Sequence, residues 1–316
     1  IFFYLAYVVL PLFKNPDVTL GEQFDLGVSD APVQIGMDEN NQIGFRYSDA
    51  GDLTVFSLTT PHEVLIQRQL ALSPTSFFSP NPSSSVSAYG LGDGSVSFQR
   101  LRFLAHYKEG ERSFTPDINP LDRIQLGAPS EAVSSVSFAL NVDDRVVAGI
   151  VGDTLHIVAQ QSGQESLRVA IPTEGDASVL VTPNGRKLFE LVGEELNIYN
   201  LSAKKVSLRE TVNIKTVTGQ LPESMTLLAG GHSLLVRLED GRIGQWFDVV
   251  KANARTLTMV REFSTPNGHL AVEAHRNVFA NLAGSGELSL WHAPSETWLG
   301  FDFPMLASDV DAMSFS

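Results

Sequence analysis

The stretch "GLGDGSVSF" (Gly90–Phe98) is the one place in this chain where the glycine spacing suggests chemistry. Gly-rich loops cradle phosphates when a helix follows, because the N–H groups of its first turn face the anion. Here Ser95 to Phe103 follows, alternating apolar and polar residues as a strand does, so the glycines are read as a turn. Among the seven histidines, His269 and His275 stand six apart in "HLAVEAH". On one strand they would share a face but lie about 20 Å apart, too far to bind one metal. No His-x-His or His-Glu-x-x-His spacing occurs. The acids of "NVDDR" (Asn141–Arg145) and "LDR" (Leu121–Arg123) do not follow the alternating-oxygen pattern of a calcium loop and are read as solvated turns. No Gly-x-Ser-x-Gly is present, although a Ser/His/Asp set assembled from distant segments stays open. The expectation is a chain without metal or cofactor, not an enzyme, and no catalytic or binding residue is assigned.

Composition narrows the field further. With 36 acidic against 22 basic residues the net charge is −14, a surface that repels nucleic acid and anionic headgroups. The absence of cysteine removes disulfides and thiolate chemistry. At 43% hydrophobic residues over 316 positions, the chain can bury a large core.

What positions any site is a repeat. A Gly or acidic turn residue, one spacer, an apolar–polar–apolar run and a large residue recur at Gly51–Phe56, Gly94–Gln99, Asp153–Val158, Glu194–Tyr199, Gly241–Trp246 and Gly286–Trp291. A spacing near 40–45 residues with an aromatic after a glycine turn marks propeller blades. An apolar strand precedes each turn, as at Arg145–Val151, Lys187–Val192, Ser233–Leu238 and Val278–Ala283. An inner strand such as Val133–Phe138 and an outer one such as Val206–Val212 complete four strands per unit. Trp246 and Trp291 hold equivalent places, as do Phe56 and Tyr199, and all four are expected between blades; Trp298, on an outer strand, is expected to be exposed.

The fold class is therefore all-β, a β-propeller over residues 18–316. One longer step in the repeat is assigned to a loop insertion at residues 107–130, rich in charge, Pro and Gly. "VTLGEQF" (Val18–Phe24) matches the outer strand at Leu257–Phe263, and "VDAMSFS" (Val310–Ser316) matches the inner strand at Val133–Ala139. These matches predict seven blades, the last shared between the two ends and incomplete; six blades is the alternative. Residues 1–13, "IFFYLAYVVLPLF", are uncharged and too short to span a bilayer alone. With Lys14 and then acids from Asp17 onward, they read as the outer end of a membrane helix whose flank lies on the non-cytoplasmic side.

The repeat resembles that of WD40-like propellers, although Trp246-Phe247 and Trp291-His292 replace the Trp-Asp pair. The combination of "YVVLPLFKNPDVTL" (Tyr7–Leu20) with a degenerate propeller is similar to the extracytoplasmic insertion of some phosphate-type ABC transporter permease subunits. That resemblance implies an inner-membrane protein with this domain in the periplasm. Its partners would be the other transporter subunits and a periplasmic substrate-binding protein, with no nucleic acid. Its role would be docking or regulation of transport. The alternatives are a propeller enzyme or small-ligand binder using the central channel, and an envelope protein-assembly scaffold.

Overall fold

The computed structural model describes residues 25–60, 63–80, 84–108, 111–141, 144–161, 166–202, 204–251, 254–273, 275–299 and 310–315. The apolar segment 1–13 and the match at Val18–Phe24 lie outside them. Among the described residues no helix is long and apolar enough to cross a membrane.

Six four-stranded antiparallel sheets follow one another along the chain, each a simple meander. Blade 1 comprises β1 (Pro32–Met37), β2 (Ile43–Ser48), β3 (Asp52–Ser57) and β4 (Val64–Gln69). Blade 2 comprises β5 (Pro74–Phe78), β6 (Val86–Leu91), β7 (Ser95–Lys108) and β8 (Glu111–Gln125). Blade 3 has β9 (Val133–Leu140), β10 (Asp144–Val151), β11 (Thr154–Gln161) and β12 (Leu167–Pro172). Blade 4 has β13 (Ala177–Val181), β14 (Lys187–Val192), β15 (Glu195–Ser202) and β16 (Lys205–Asn213), after which a short helix α1 (Ile214–Thr218) leads onward. Blade 5 holds β17 (Pro222–Leu228), β18 (Ser233–Leu238), β19 (Ile243–Lys251) and β20 (Ala254–Phe263). Blade 6 holds β21 (Gly268–Val272), β22 (Val278–Ala283), β23 (Leu288–His292) and β24 (Thr297–Trp298).

The burial of each strand explains its composition. The second strands β2, β6 and β18 are buried at every position, because neighbouring blades cover both faces of the sheet. Strands sandwiched in this way read as near-continuous apolar runs. The fourth strands face solvent on one side, and β12 alternates half-buried and exposed along its whole length. Consecutive blades share hydrophobic cores: Tyr47 with Tyr89, Phe98 with Phe138, Ile157 with Leu188, Leu196 with Trp246, and Phe263 with Phe279. Polar rungs join the inner strands. Ser135 and Ser137 Oγ accept the amides of Val179 (3.1 Å) and Val181 (2.9 Å), and Ser76 Oγ donates to the Val133 carbonyl at 2.6 Å.

The repeated turn residue has a structural task. In blade 1 the Gly51 carbonyl accepts the Leu70 amide at 2.8 Å, and in blade 2 the Gly94 carbonyl accepts the Leu126 amide at 2.9 Å. Asp153 and Glu194 receive Thr173 and Ile214 in the same way, at 2.9 and 2.8 Å. Each turn is thus clamped to the connection that leaves its blade. Gly51 and Gly94 hold positive φ (88° and 72°), and a Cβ on either would sit 2.3 Å from a carbonyl oxygen of that connection.

Two expectations are corrected. The described residues build six blades, so the six-bladed alternative stands in place of seven; residues 310–315, expected to start an innermost strand, take no strand conformation. The segment 107–130 is not a loop. Tyr107 and Lys108 end β7, Glu111–Gln125 is β8, and the described connection begins only at Leu126. Pro116 and Pro120 suggested a loop, yet β8 is an outer strand, where a residue without N–H breaks no ladder.

Candidate interaction site

Among the described residues the longest strands are β7 and β8, with 14 and 15 residues, against 6 to 10 for the third and fourth strands of blades 1, 3, 4 and 5. The pairing of β6 with β7 stops at Arg100, whereas β7 and β8 continue together from Leu101↔Ile118 to Lys108↔Glu111. Blade 2 therefore extends a two-stranded arm. An isolated hairpin is marginal in water, and this one is propped on blade 1. Phe103 packs on Phe45 with ring centroids 6.0 Å apart, and Phe103, Phe114 and Ile118 join the core shared by blades 1 and 2.

The prop is set by Asp38, which is 6% exposed. Its Oδ1 accepts the amides of Gln42 and Ile43, both at 2.7 Å, and its Oδ2 accepts the Asn40 amide at 3.1 Å. Burial alone would raise the Asp38 pKa, but these backbone donors outweigh it and hold the carboxyl below its ordinary range. The pinned β1–β2 turn presents Asn40, whose Oδ1 accepts from Arg112 Nη1 at 3.1 Å. Arg112 in turn lies over Phe114, its Cζ 4.5 Å from the ring centroid, and 5.9 Å from that of Tyr107. Arm and turn enclose a cleft of about 360 Å³ whose walls include Met37, Phe103 and Phe114. Tyr107, 73% exposed, stands beside it near the arm's tip.

Such a surface can seat a partner's side chains. Its centre is aromatic, it carries an Arg already stacked and oriented, and an exposed Tyr flanks it, the residue types that dominate binding energy at interfaces. Asp38, Asn40 and Arg112 carry no motif. The only sequence signal for the arm was the long step between repeats, which located the segment while missing its strand conformation.

The structure places the other sequence candidates as follows. Gly90 lies in β6 and Gly94 is the last residue of the β6–β7 turn, with strand on both sides and no helix. His269 lies in β21 and His275 beyond its end, where the exposed His275 amide meets Glu273 Oε2 at 2.9 Å. Among the described residues no group of three His, Asp or Glu converges as a metal ion requires. Trp246 is 1% exposed between blades 4 and 5, and Trp291 lies between blades 5 and 6 with Phe279 stacked 6.3 Å away. Tyr199 packs between blades 3 and 4, and Trp298 is 53% exposed on the outer strand, both as expected.

A separate ion cluster ties blade 4 to blade 5. Asp248 takes Arg209 in a two-point contact at 2.8 and 3.1 Å and also pairs with Lys187. Burial would raise the Asp248 pKa, but hydrogen bonds from Arg209 and Lys187 prevail and lower it. Arg209 also reaches Glu210 Oε1 at 2.5 Å, and its Nε stays buried without a partner among the described residues, so the cluster belongs to the junction between the blades.

No protein-family model and no curated protein matches this chain. Solved structures do. The β-propeller domain of Cps50 (Swd1) from Myceliophteria thermophila is 16% identical with a TM-score of 0.57, covering 86% of this chain and 85% of that one. Raptor from Chaetomium thermophilum is 14% identical with a TM-score of 0.60; the match covers 91% of this chain and 26% of Raptor. A candidate 6-phosphogluconolactonase from Bacteroides uniformis is 13% identical with a TM-score of 0.54, covering 84% of this chain and 82% of that one. At such identities the likeness carries the β-propeller fold alone.

Proposed function

We propose that this chain is a non-enzymatic docking propeller whose blade 2 arm receives a protein partner. The observation that carries the reading is the arm itself: strands of 14 and 15 residues leaving the blade, propped so that Tyr107, Arg112 and Phe114 gather around a cleft. A feature that serves only the ring has no need of these extra residues, and a rigid scaffold bearing a projecting hairpin suits recognition.

The context we propose comes from the sequence resemblance. It is the periplasmic domain of a phosphate-type ABC transporter permease in the inner membrane, held close to the bilayer by residues 1–13. The partner is then the cognate periplasmic substrate-binding protein, and docking regulates transport. The test is a titration of the full permease complex with that binding protein, alongside a complex lacking the propeller. Saturable binding that requires the propeller supports the reading. Equal binding and equal transport without the propeller would end it.

A further inference from the structure

A second cleft lies on blade 4, at the opposite strand ends from the arm. It measures about 820 Å³ and is walled by the connection Pro172–Asp176 and the β14–β15 turn at Gly193-Glu194. Two buried polar atoms of its lining residues have no hydrogen-bond partner among the described residues.

The first belongs to Glu190, a lone acid in the otherwise apolar stretch Leu188–Val192 and only 1% exposed. Its Oε2 accepts from the Tyr199 hydroxyl at 2.9 Å and from Asn197 Nδ2 at 3.0 Å. Its Oε1 is shut from solvent and receives no hydrogen bond. The second is Thr173 Oγ1, on a residue 7% exposed whose amide is fixed on the Asp153 carbonyl at 2.9 Å. A buried carboxylate oxygen without a donor destabilises the fold, so its presence at a cleft is a reason to look for the missing donor.

The surroundings indicate which donor. Four further acids line the cleft, Glu174, Asp176, Glu194 and Glu195, and no Lys or Arg does. The cation nearest to this rim in the ion pairs is Lys215, 3.8 Å from Glu194, with both groups about half exposed. The field in the cleft is negative and little compensated. Burial and the neighbouring Glu190 both push the Tyr199 phenol up, so its hydroxyl stays protonated and remains a donor to Oε2, leaving Oε1 for a ligand. Among the described residues no three acids converge on one point as a metal ion needs. The volume suits an organic cation instead.

We propose that the blade 4 cleft binds an ammonium or guanidinium group, which the rim acids attract and toward which the Glu190 carboxylate and the Thr173 hydroxyl turn as acceptors of its N–H groups. The group could be carried by a free polyamine or by a basic side chain of a peptide; the chemistry recognised is the same. This site is independent of the docking reading, since it uses other residues at other strand ends.

The experiment is calorimetric titration of the full chain with N-acetyl-arginine methylamide, N-acetyl-lysine methylamide, spermidine and calcium chloride, each run separately. Saturable binding of an organic cation is expected. Tighter binding of an amide probe than of spermidine assigns the cleft to a basic side chain; the reverse assigns it to polyamines. Glu190→Gln keeps the shape and is expected to weaken binding at least about tenfold, with the melting temperature held or raised. Thr173→Val is expected to weaken it by a smaller factor. Glu194→Gln with Glu195→Gln, at exposed or half-exposed rim positions that do not hold the core, should weaken it mainly at low salt. If Glu190→Gln fails to fold, the Thr173 and rim variants decide. No saturable binding of any organic cation in the millimolar range, binding indifferent to all these variants, or calcium binding with the same dependence would overturn the proposal.

Discussion

Blade 2 and blade 4 share one strand plan and depart from it in opposite ways. Blade 2 adds residues: β7 and β8 run past their neighbours into an arm, and the charged groups of its prop, Asp38 and Arg112, both have partners. Blade 4 adds no strand length of that kind; its two-residue turn at Gly193-Glu194 and its short connection from Pro172 leave a cleft floored by unpartnered oxygens. The arm is a projecting, aromatic surface with a cation in its middle. The cleft is a recess with acid at its floor and rim. Sheets of one strand order thus present different surfaces at the two ends of their strands, while hydrophobic cores between consecutive blades hold them together.

The contrast can be broken most severely by removing what both regions stand on. Trp246→Ala excises a side chain 1% exposed in the core joining blades 4 and 5. A loss of about 3–5 kcal/mol is expected in denaturant titrations, with both binding sites weakened together.

Asp248→Asn acts on blade 4 and its junction and not on the arm. About 2 kcal/mol should be lost at neutral pH, because Arg209 and Lys187 lose their charged acceptor. The sign with pH follows from the depressed pKa of Asp248: its folded value lies below the unfolded one of 3.8. The stabilisation is therefore complete above the unfolded pKa and is lost as pH falls through the folded value. Wild type should lose stability below about pH 4, and the Asn variant should lack that part of the acid transition. Melting curves between pH 2 and pH 7 check it.

Asp38→Asn is the corresponding change on the arm side. Asn keeps one acceptor and loses the charge that the Ile43, Gln42 and Asn40 amides stabilise. A cost of about 1 kcal/mol is expected, again largest above the unfolded pKa. Hydrogen exchange should show faster opening of the arm, with blade 4 unchanged.

The smallest effect belongs to Arg112→Ala, which removes the contacts to Phe114, Tyr107 and Asn40. Global stability should fall by only about 0.5–1 kcal/mol, while exchange at Ala105 and Phe114 increases.

The regular part of this molecule was plain in its sequence because period and burial coincide there. Lys187–Val192 was bounded as a strand from its apolar run alone, and β14 has those ends. Trp246 and Trp291 announced the inter-blade cores through their equivalent places in the repeat. The irregular part was not plain, for identifiable reasons. The arm is solvated on its outer strand, so it lacks the apolar alternation that marks a half-buried strand, and its prolines mimic a loop. Glu190 did leave a trace, a single acid inside "KLFELV", where residues buried on both faces are otherwise apolar. That trace gives no hint of Thr173, which joins it in the lining of one cleft only through the fold. The shared seventh blade rested on the likeness to β20 of Val18–Phe24, which lies outside the described residues, and on that of Val310–Ser316 to β9, where a short alternating match does not carry the pairing partner that makes a strand.

The docking role proposed for the arm of blade 2 puts Tyr107 and Arg112 at the contact with the partner. The most direct measurement is the affinity of the full chain for the cognate substrate-binding protein, compared with that of a Tyr107→Ala, Arg112→Ala variant. Tyr107 is mostly exposed and Arg112 is exposed, so the ring should melt within a few degrees of wild type. Binding weakened about tenfold or more is expected if the arm docks the partner. An unchanged affinity in a folded variant would contradict that role.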